Sequence, residues 1–197
     1  MRQISKPIHY GTEMEFVLRH IWSKDTATYQ HCENVHILVA VLCEELKLTA
    51  VERKVYTETG RIHDVGKVLI DSNILKKPGK LEPREFTEIQ KHAVLGYEYL
   101  RACDPFEEHA LITLHHHERW DGTGYPSGLY KENIPLGSRI IAIADSFDAM
   151  TGIRPYRRPF STEEALHELE GHAGTQFDPD LVRYFIRSVK NSMPELG

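Results

Sequence analysis

Residues 28–46 read TYQHCENVHILVAVLCEEL, and within them Val35, Leu38, Val39, Leu42 and Leu46 fall three or four positions apart. That spacing repeats the helical period and gathers the apolar side chains on one face, so the segment is expected to be an amphipathic helix with an inward stripe. His31 lies one turn before Val35 and therefore on the same stripe. Taken alone, such a histidine is ordinarily a packed or exposed side chain.

The helical period recurs on both sides of this stretch. Val51, Val55 and Ile62 mark a second helix, expected to end near Gly66, where a left-handed cap is easily tolerated; this puts His63 and Asp64 in its last turn. Residues 71–83, with Pro78, Gly79 and Pro83, read as a loop, and a helix over about residues 84–100 follows. Phe106, Ala110 and Leu114 stripe a short helix that finishes at His115, His116 and His117. Residues 121–138 hold Gly122, Gly124, Gly128, Gly137, Pro126 and Pro135, too long and broken a stretch for an idle connection, and are expected to form a functional loop. In residues 140–150, Ile140, Ile143, Ala144 and Phe147 face inward, with Asp145 and Asp148 one turn apart on a neighbouring strip. Ser161 with Glu164 makes a capping box for a helix that Gly171 can close, and Asp178 before Pro179 is a cap followed by a first-turn proline. No alternating β-run competes, so the fold class is all-α, a helical bundle with a long glycine-rich loop. The expected division is a short N-terminal helical extension over residues 1–27 and one domain over residues 28–197.

A chain of 197 residues suits one core. With 24 Lys and Arg against 29 Asp and Glu, its net charge of −5 argues against a binder of nucleic-acid polymers or anionic membranes. The longest aliphatic run, residues 35–43, is about half of what a bilayer span needs, and the amino terminus lacks the order of a signal peptide. Cys32, Cys43 and Cys103 form no CxxC pair, as expected where thiols stay reduced, so a cytoplasmic location is expected. Histidine is the anomaly, with twelve copies, several beside carboxylates or each other.

The chemistry-bearing pieces are His31, the pair His63-Asp64 followed by Lys67, His92, the pair His116-His117, and Asp145, each on a different expected helix or helix end. A helix bundle can bring such distant side chains to one interior point, which is where bundles build metal sites. Nitrogen and oxygen donors without thiolate suit iron, manganese, cobalt, nickel or zinc, and disfavour a calcium cage or a structural zinc knot. An adjacent His-Asp supplies an imidazole and a carboxylate able to bridge two cations. Lys67, three positions after Asp64, can point to the same centre. Arg154, Arg157 and Arg158 form a local basic patch whose guanidinium forks suit phosphate. Asp148 is expected either to lie on the helix surface or to support a ligand from outside, and Glu118 and Asp121 either do the latter or cap the loop. Tyr125 and Pro126 either pack the loop or edge a substrate cleft. His115 either joins the following pair or only precedes it. His9, His20, His36, His109, His167 and His172 are read as structural or solvent-facing.

These residues resemble the HD-GYP subgroup of the HD superfamily of metal-dependent phosphohydrolases. His63-Asp64-Val65-Gly66-Lys67 is similar to its HDxGK motif, and residues 116–126, HHERWDGTGYP, match its HHExxDGxGYP signature throughout. Residues 141–151, IAIADSFDAMT, are similar to its third block, and Arg154-Pro155-Tyr156-Arg157 to the family segment immediately after that block. The likeness spans roughly residues 28–189. It implies an α-helical HD-domain fold and two divalent metals, iron or manganese, ligated by His31, His63, Asp64, His92, His116, His117 and Asp145. It further implies hydrolysis of cyclic di-GMP to linear pGpG or to GMP, with Asp64 and Lys67 as catalytic groups. Lys67, Arg154, Arg157 and Tyr125 would bind substrate, and the GYP loop would contact a GGDEF diguanylate cyclase. Some members carry a Glu four residues before the first histidine that helps hold a third metal. Here the position is Ala27, which favours two metals unless Asp25 or Glu33 substitutes from a nearby turn. Two six-coordinate cations offer about twelve positions, of which the seven residues fill about eight if Asp64 bridges, leaving room for water and phosphate oxygens. The rivals are a phosphodiesterase for another cyclic dinucleotide such as cyclic GMP-AMP, and a non-catalytic module that binds nucleotide or a partner through the same cleft.

Overall fold

The computed structural model describes residues 10–103, 106–152 and 158–192; Arg154 and Arg157 lie outside them. The central element is α2 (Thr26–Glu45), which starts where the Asp25 carboxylate accepts from Thr28 N at 3.0 Å. It packs against α1 (Tyr10–Lys24), α3 (Ala50–Ile62), α8 (Leu136–Thr151) and α10 (Pro179–Ser192). Its buried stripe of Val35, Val39 and Leu42 meets Ile140, Ile143, Ala144 and Phe147 of α8 and Val182 and Phe185 of α10. Between α8 and α10, α9 (Thr162–Gly171) adds Ala165, Leu166 and Leu169 to the same core. A second core joins Met14, Val17 and Ile21 of α1 to Ile62, Val65, Leu100, Phe106 and Ala110. The stretch assigned to an N-terminal extension thus supplies a helix whose apolar stripe closes this core.

The all-α expectation holds. Among the described residues there is no strand, only an isolated bridge between Ala173 and Phe177. No described helix is long and apolar enough to cross a membrane. The capping boxes at Thr49 with Glu52 and Ser161 with Glu164 are formed, and Asp178 accepts from Asp180 N at 2.9 Å to start α10.

Four boundaries differ from expectation, each for a local reason. Gly66 does not cap α3, which ends at Ile62; it sits inside a 3-10 helix, Val65–Leu69. Its role is close packing, because a Cβ there would lie 2.0 Å from the His92 carbonyl oxygen. The expected loop at residues 71–83 contains one helical turn, α4 (Ser72–Leu75), capped by Asp71. The single helix expected over residues 84–100 is two, α5 (Pro83–Gln90) and α6 (His92–Arg101). Its apolar spacing runs through the break, where the His92 ring donates from Nδ1 to the Ile89 carbonyl at 2.6 Å. Following α7 (Glu107–His115), the glycine-rich loop includes a 3-10 turn (Lys131–Asn133) and ends earlier than expected, because α8 begins at Leu136 and takes in Gly137 and Ser138.

Gly66→Ala should therefore destabilise the protein by about 3 kcal/mol through overpacking. Gly171→Ala, at a helix end with nothing within 4 Å of the added carbon, should shift stability by less than about 1 kcal/mol. Urea unfolding of both variants checks the pair, and equal midpoints would refute the packing role of Gly66.

Candidate metal centre

His63 and His116 stand just past the last turns of α3 and α7, and His92 opens α6 two residues after α5 ends. In each the ring Nδ1 donates to the backbone carbonyl three residues earlier: Gly60 at 2.9 Å, Ile89 at 2.6 Å and Thr113 at 2.5 Å. Helix ends leave carbonyls without N–H partners in the helix, so one backbone feature used three times orients three rings. A carbonyl can only accept, hence Nδ1 holds the proton and, in a neutral ring, Nε2 bears a lone pair. Burial, the largest influence, pulls the pKa of all three imidazoles down and keeps them neutral. His117 is likewise pulled down to about 3, by burial first and then by His92.

The bare nitrogens converge. His92 Nε2 lies 3.2 Å from His116 Nε2 and 3.0 Å from His117 Nε2, and His63 Nε2 is buried with no hydrogen-bond partner. Lone pairs facing one another across such distances repel unless a proton or a cation lies between them. The donor set sorts into two groups, His92 with His116 and His117, and His31 with His63 and Asp64, the ligand atoms within each lying no more than 4.8 Å apart. Asp64 spans both. Its Oδ1 is 3.4 Å from His92 Nε2, while its Oδ2 is 3.8 Å from His31 Nε2 and 3.7 Å from His63 Nε2. Asp145, on α8, joins the second group through a 3.0 Å contact between its Oδ1 and His31 Nε2. The arrangement fits divalent cations: a nitrogen-rich half and a carboxylate-rich half share one bidentate carboxylate, near three helix C-termini whose dipoles favour positive charge.

Charge in the site is strongly organised. Burial alone would raise the Asp64 carboxyl, but the Lys67 ammonium first, and the charge on His31, hold it well below the usual carboxylate range. Burial likewise works to raise Asp145, and the His31 hydrogen bond and charge keep it far down. Burial pulls His31 down, yet its hydrogen bonds to Asp145 and Asp148 outweigh that and lift it to about 9. Lys67 Nζ is 2.5 Å from Asp64 Oδ2, and this partner overcomes burial and keeps the ammonium charged.

All seven residues that the sequence suggested as ligands, with Lys67, are thus brought together. Tyr125 joins them from the loop, its ring stacked on His117 with centroids 4.9 Å apart. Glu118 takes the loop-capping role of the two left open, accepting from Ser127 N at 2.7 Å and Leu129 N at 3.1 Å. Asp121 also serves the loop, holding Thr123 and Arg119. His115 stays outside the ligand groups, facing Glu118. Of its two expected roles Asp148 takes the supporting one, accepting from His31 Nδ1 at 2.6 Å. Neither substitute for the missing glutamate is free: Asp25 accepts from Thr28, Glu33 is paired with Arg61 at 2.7 Å, and Ala27 is exposed. Arg158 is exposed and paired with Glu164. His36 donates to the Thr57 carbonyl and His109 faces Glu58, both away from the centre. Sequence reasoning passed over Asn34, which donates to Asp148 at 2.8 Å; its spacing of three from His31 on one helix face was the available signal.

A helical bundle that gathers histidines and aspartates from helix ends and helix interiors at one buried point defines a class of metal-binding α-helical domain. The chain belongs to the HD domain family, whose model matches residues 16–181. It is 40% identical over 169 residues to a cyclic di-GMP phosphodiesterase of Thermotoga maritima, covering 85% of this chain and 46% of that protein. It is 38% identical over 182 residues to the 3'3'-cGAMP-specific phosphodiesterase 1 of Vibrio cholerae, covering 88% and 42%. The chain thus spans less than half the length of these curated relatives. Its fold is that of a cyclic GMP-AMP-specific phosphodiesterase of V. cholerae, with a TM-score of 0.66 and 22% identity over 90% of this chain and 47% of that one.

Mn(II) or Fe(II) added to metal-free protein should raise its thermal midpoint, with stabilisation of about 2.7 kcal/mol at a hundredfold excess over Kd. His63→Ala and His116→Ala should blunt the shift while remaining helical by circular dichroism. A wild-type midpoint unmoved by either ion would refute metal binding here.

Proposed function

We propose that this chain is a metal-dependent phosphodiesterase that hydrolyses cyclic di-GMP to linear pGpG and, in a second cleavage, to GMP. The ligands are His31, His63, Asp64, His92, His116, His117 and Asp145, holding two divalent ions, iron or manganese. What carries this reading is one carboxylate, Asp64, whose two oxygens face two separate ligand groups while Lys67 lies against the second oxygen. When bound, such an ion pair neutralises charge at a phosphoryl group and lowers the pKa of water from 15.7 towards ~7.

The chain's own residues supply the rest. Asp64, held charged by Lys67, keeps the two halves at a fixed separation. Lys67 carries a proton at Nζ and is 24% exposed, so it can reach a phosphoryl oxygen and protonate the departing 3'-oxygen. The oxygen of water adds to phosphorus as the P–O3' bond breaks; Lys67 gives its proton to O3', the proton lost by the water passes to solvent and solvent reprotonates Lys67, leaving a 5'-phosphate and a free 3'-hydroxyl. Tyr125, stacked on His117, edges the cleft and limits water there. Arg154 and Arg157 are assigned to the second phosphodiester as guanidinium forks. The exposed tip of the loop, including Ser127, Tyr130 and Lys131, is the surface assigned to a GGDEF diguanylate cyclase. The free thiols of Cys32, Cys43 and Cys103 support a cytoplasmic location.

Cyclic GMP-AMP is the second substrate to test, favoured by the likeness to the V. cholerae relative. Metal-loaded protein should convert cyclic di-GMP to pGpG, and His63→Ala or Asp64→Ala should abolish turnover. Lys67→Ala should lower kcat by about 10²–10³ with metal still bound. Arg154→Ala should raise KM about tenfold, the loss of one charge-assisted hydrogen bond. Product analysis by chromatography checks these outcomes. Tight binding of either nucleotide without turnover would instead identify a non-catalytic module.

A further inference from the structure

His31 differs from the other oriented histidines in one structural respect. His63, His92 and His116 lie at helix ends and are aimed by carbonyls of their own backbone, which no side-chain substitution deletes. His31 lies inside α2, where the carbonyls are engaged in the helix, so its ring must be aimed by a side chain from another element. Asp148 of α8 does this, its Oδ2 accepting from His31 Nδ1 at 2.6 Å.

A carboxylate is aimed only as well as its second oxygen is held. Asp148 Oδ1 accepts from Asn34 Nδ2 at 2.8 Å. The amide is itself oriented from its other side, since Gln30 Nε2 donates to Asn34 Oδ1 at 3.0 Å and the NH₂ must then face the carboxylate. Gln30 and Asn34 are one turn apart on α2 and flank His31, so both oxygens of Asp148 are pinned to the helix that carries the ring they orient.

We propose that Asn34 is a positioning residue for the carboxylate-rich half of the centre, setting His31 through Asp148 so that Nε2 points at Asp145 and Asp64. The consequence is an asymmetry that the metal assignment above, on which this inference rests, does not contain. In the half built on His92, His116 and His117 two rings are aimed by backbone carbonyls; in the other half the backbone aims His63, and His31 alone depends on a side-chain relay.

The test uses the full chain with Asn34→Ala, Asp148→Ala and the double variant. Loss of an outer hydrogen bond to a metal-ligating histidine's partner weakens metal binding about tenfold. Asn34→Ala should therefore weaken one of the Mn(II) binding events by about that factor and leave the other as in wild type. Adding Asn34→Ala to Asp148→Ala should produce no further change, since the two act in series. The thermal midpoint of metal-free Asn34→Ala should equal that of wild type. Wild-type isotherms for Asn34→Ala, equal weakening of both events, or additive losses in the double variant would each overturn the proposal. A second measurement needs no metal: by ¹⁵N–¹H NMR of metal-free protein, the His31 Nδ1 proton should exchange with solvent faster in Asn34→Ala than in wild type. An unchanged exchange rate would also overturn it. Wild-type protein that binds no Mn(II) while this proton still responds to Asn34→Ala would overturn the metal assignment and leave the positioning role standing.

Discussion

Lone pairs that face each other inside a protein are costly, and this chain brings several to one buried point. Each ring at a helix end spends its proton on a backbone carbonyl, and burial prevents a second proton from being taken up. Of the nitrogens left over, His63 Nε2 is buried with no hydrogen-bond partner among the described residues, and those of His92, His116 and His117 have mainly one another. The surrounding architecture is shaped by this requirement. Three helices must end where they do, and α6 and the 3-10 helix must approach closely enough to bring His92 beside Asp64. That approach is what forbids a side chain at Gly66.

The two halves of the centre answer the same requirement with different chemistry. Around His92, His116 and His117 the donors are neutral imidazoles, with a single carboxylate oxygen close by. Around His31 and His63 lie the other oxygen of Asp64 and the Asp145 carboxylate, and Lys67 offsets part of that negative charge. Nitrogen-rich and oxygen-rich sites differ in the ions they favour, so a shared bridging carboxylate joins two environments that are not equivalent. The loop is part of the same unit. Glu118, adjacent to His117, fixes it through two backbone N–H groups, and Tyr125 returns from it to cover the His117 ring.

Much of this was legible from residue order. Helices with a regular apolar stripe, such as α2 and α8, announce themselves by period, and caps such as Ser161 with Glu164 announce their starts. The break between α5 and α6 did not, because the apolar spacing continues across it and the cause is a side chain turning back onto the backbone. Gly66 was misplaced for a related reason: a glycine that ends a helix and one that admits a neighbouring backbone look alike in a sequence. The role of α1 was also hidden, since Met14, Val17 and Ile21 find their partners in residues more than forty positions away.

Composition and spacing determined the helical class, the donor types at the site and their grouping into pairs such as His63-Asp64, because these are properties of neighbouring residues. Only the folded chain decided which nitrogen of each ring faces inward, which oxygen of Asp64 serves which group, and that Asn34 and Asp148 stand behind His31. The reason is physical. Tautomer and carboxylate orientation are set by hydrogen bonds to backbone carbonyls and to side chains on other helices, and those partners acquire a position only once the helices have packed.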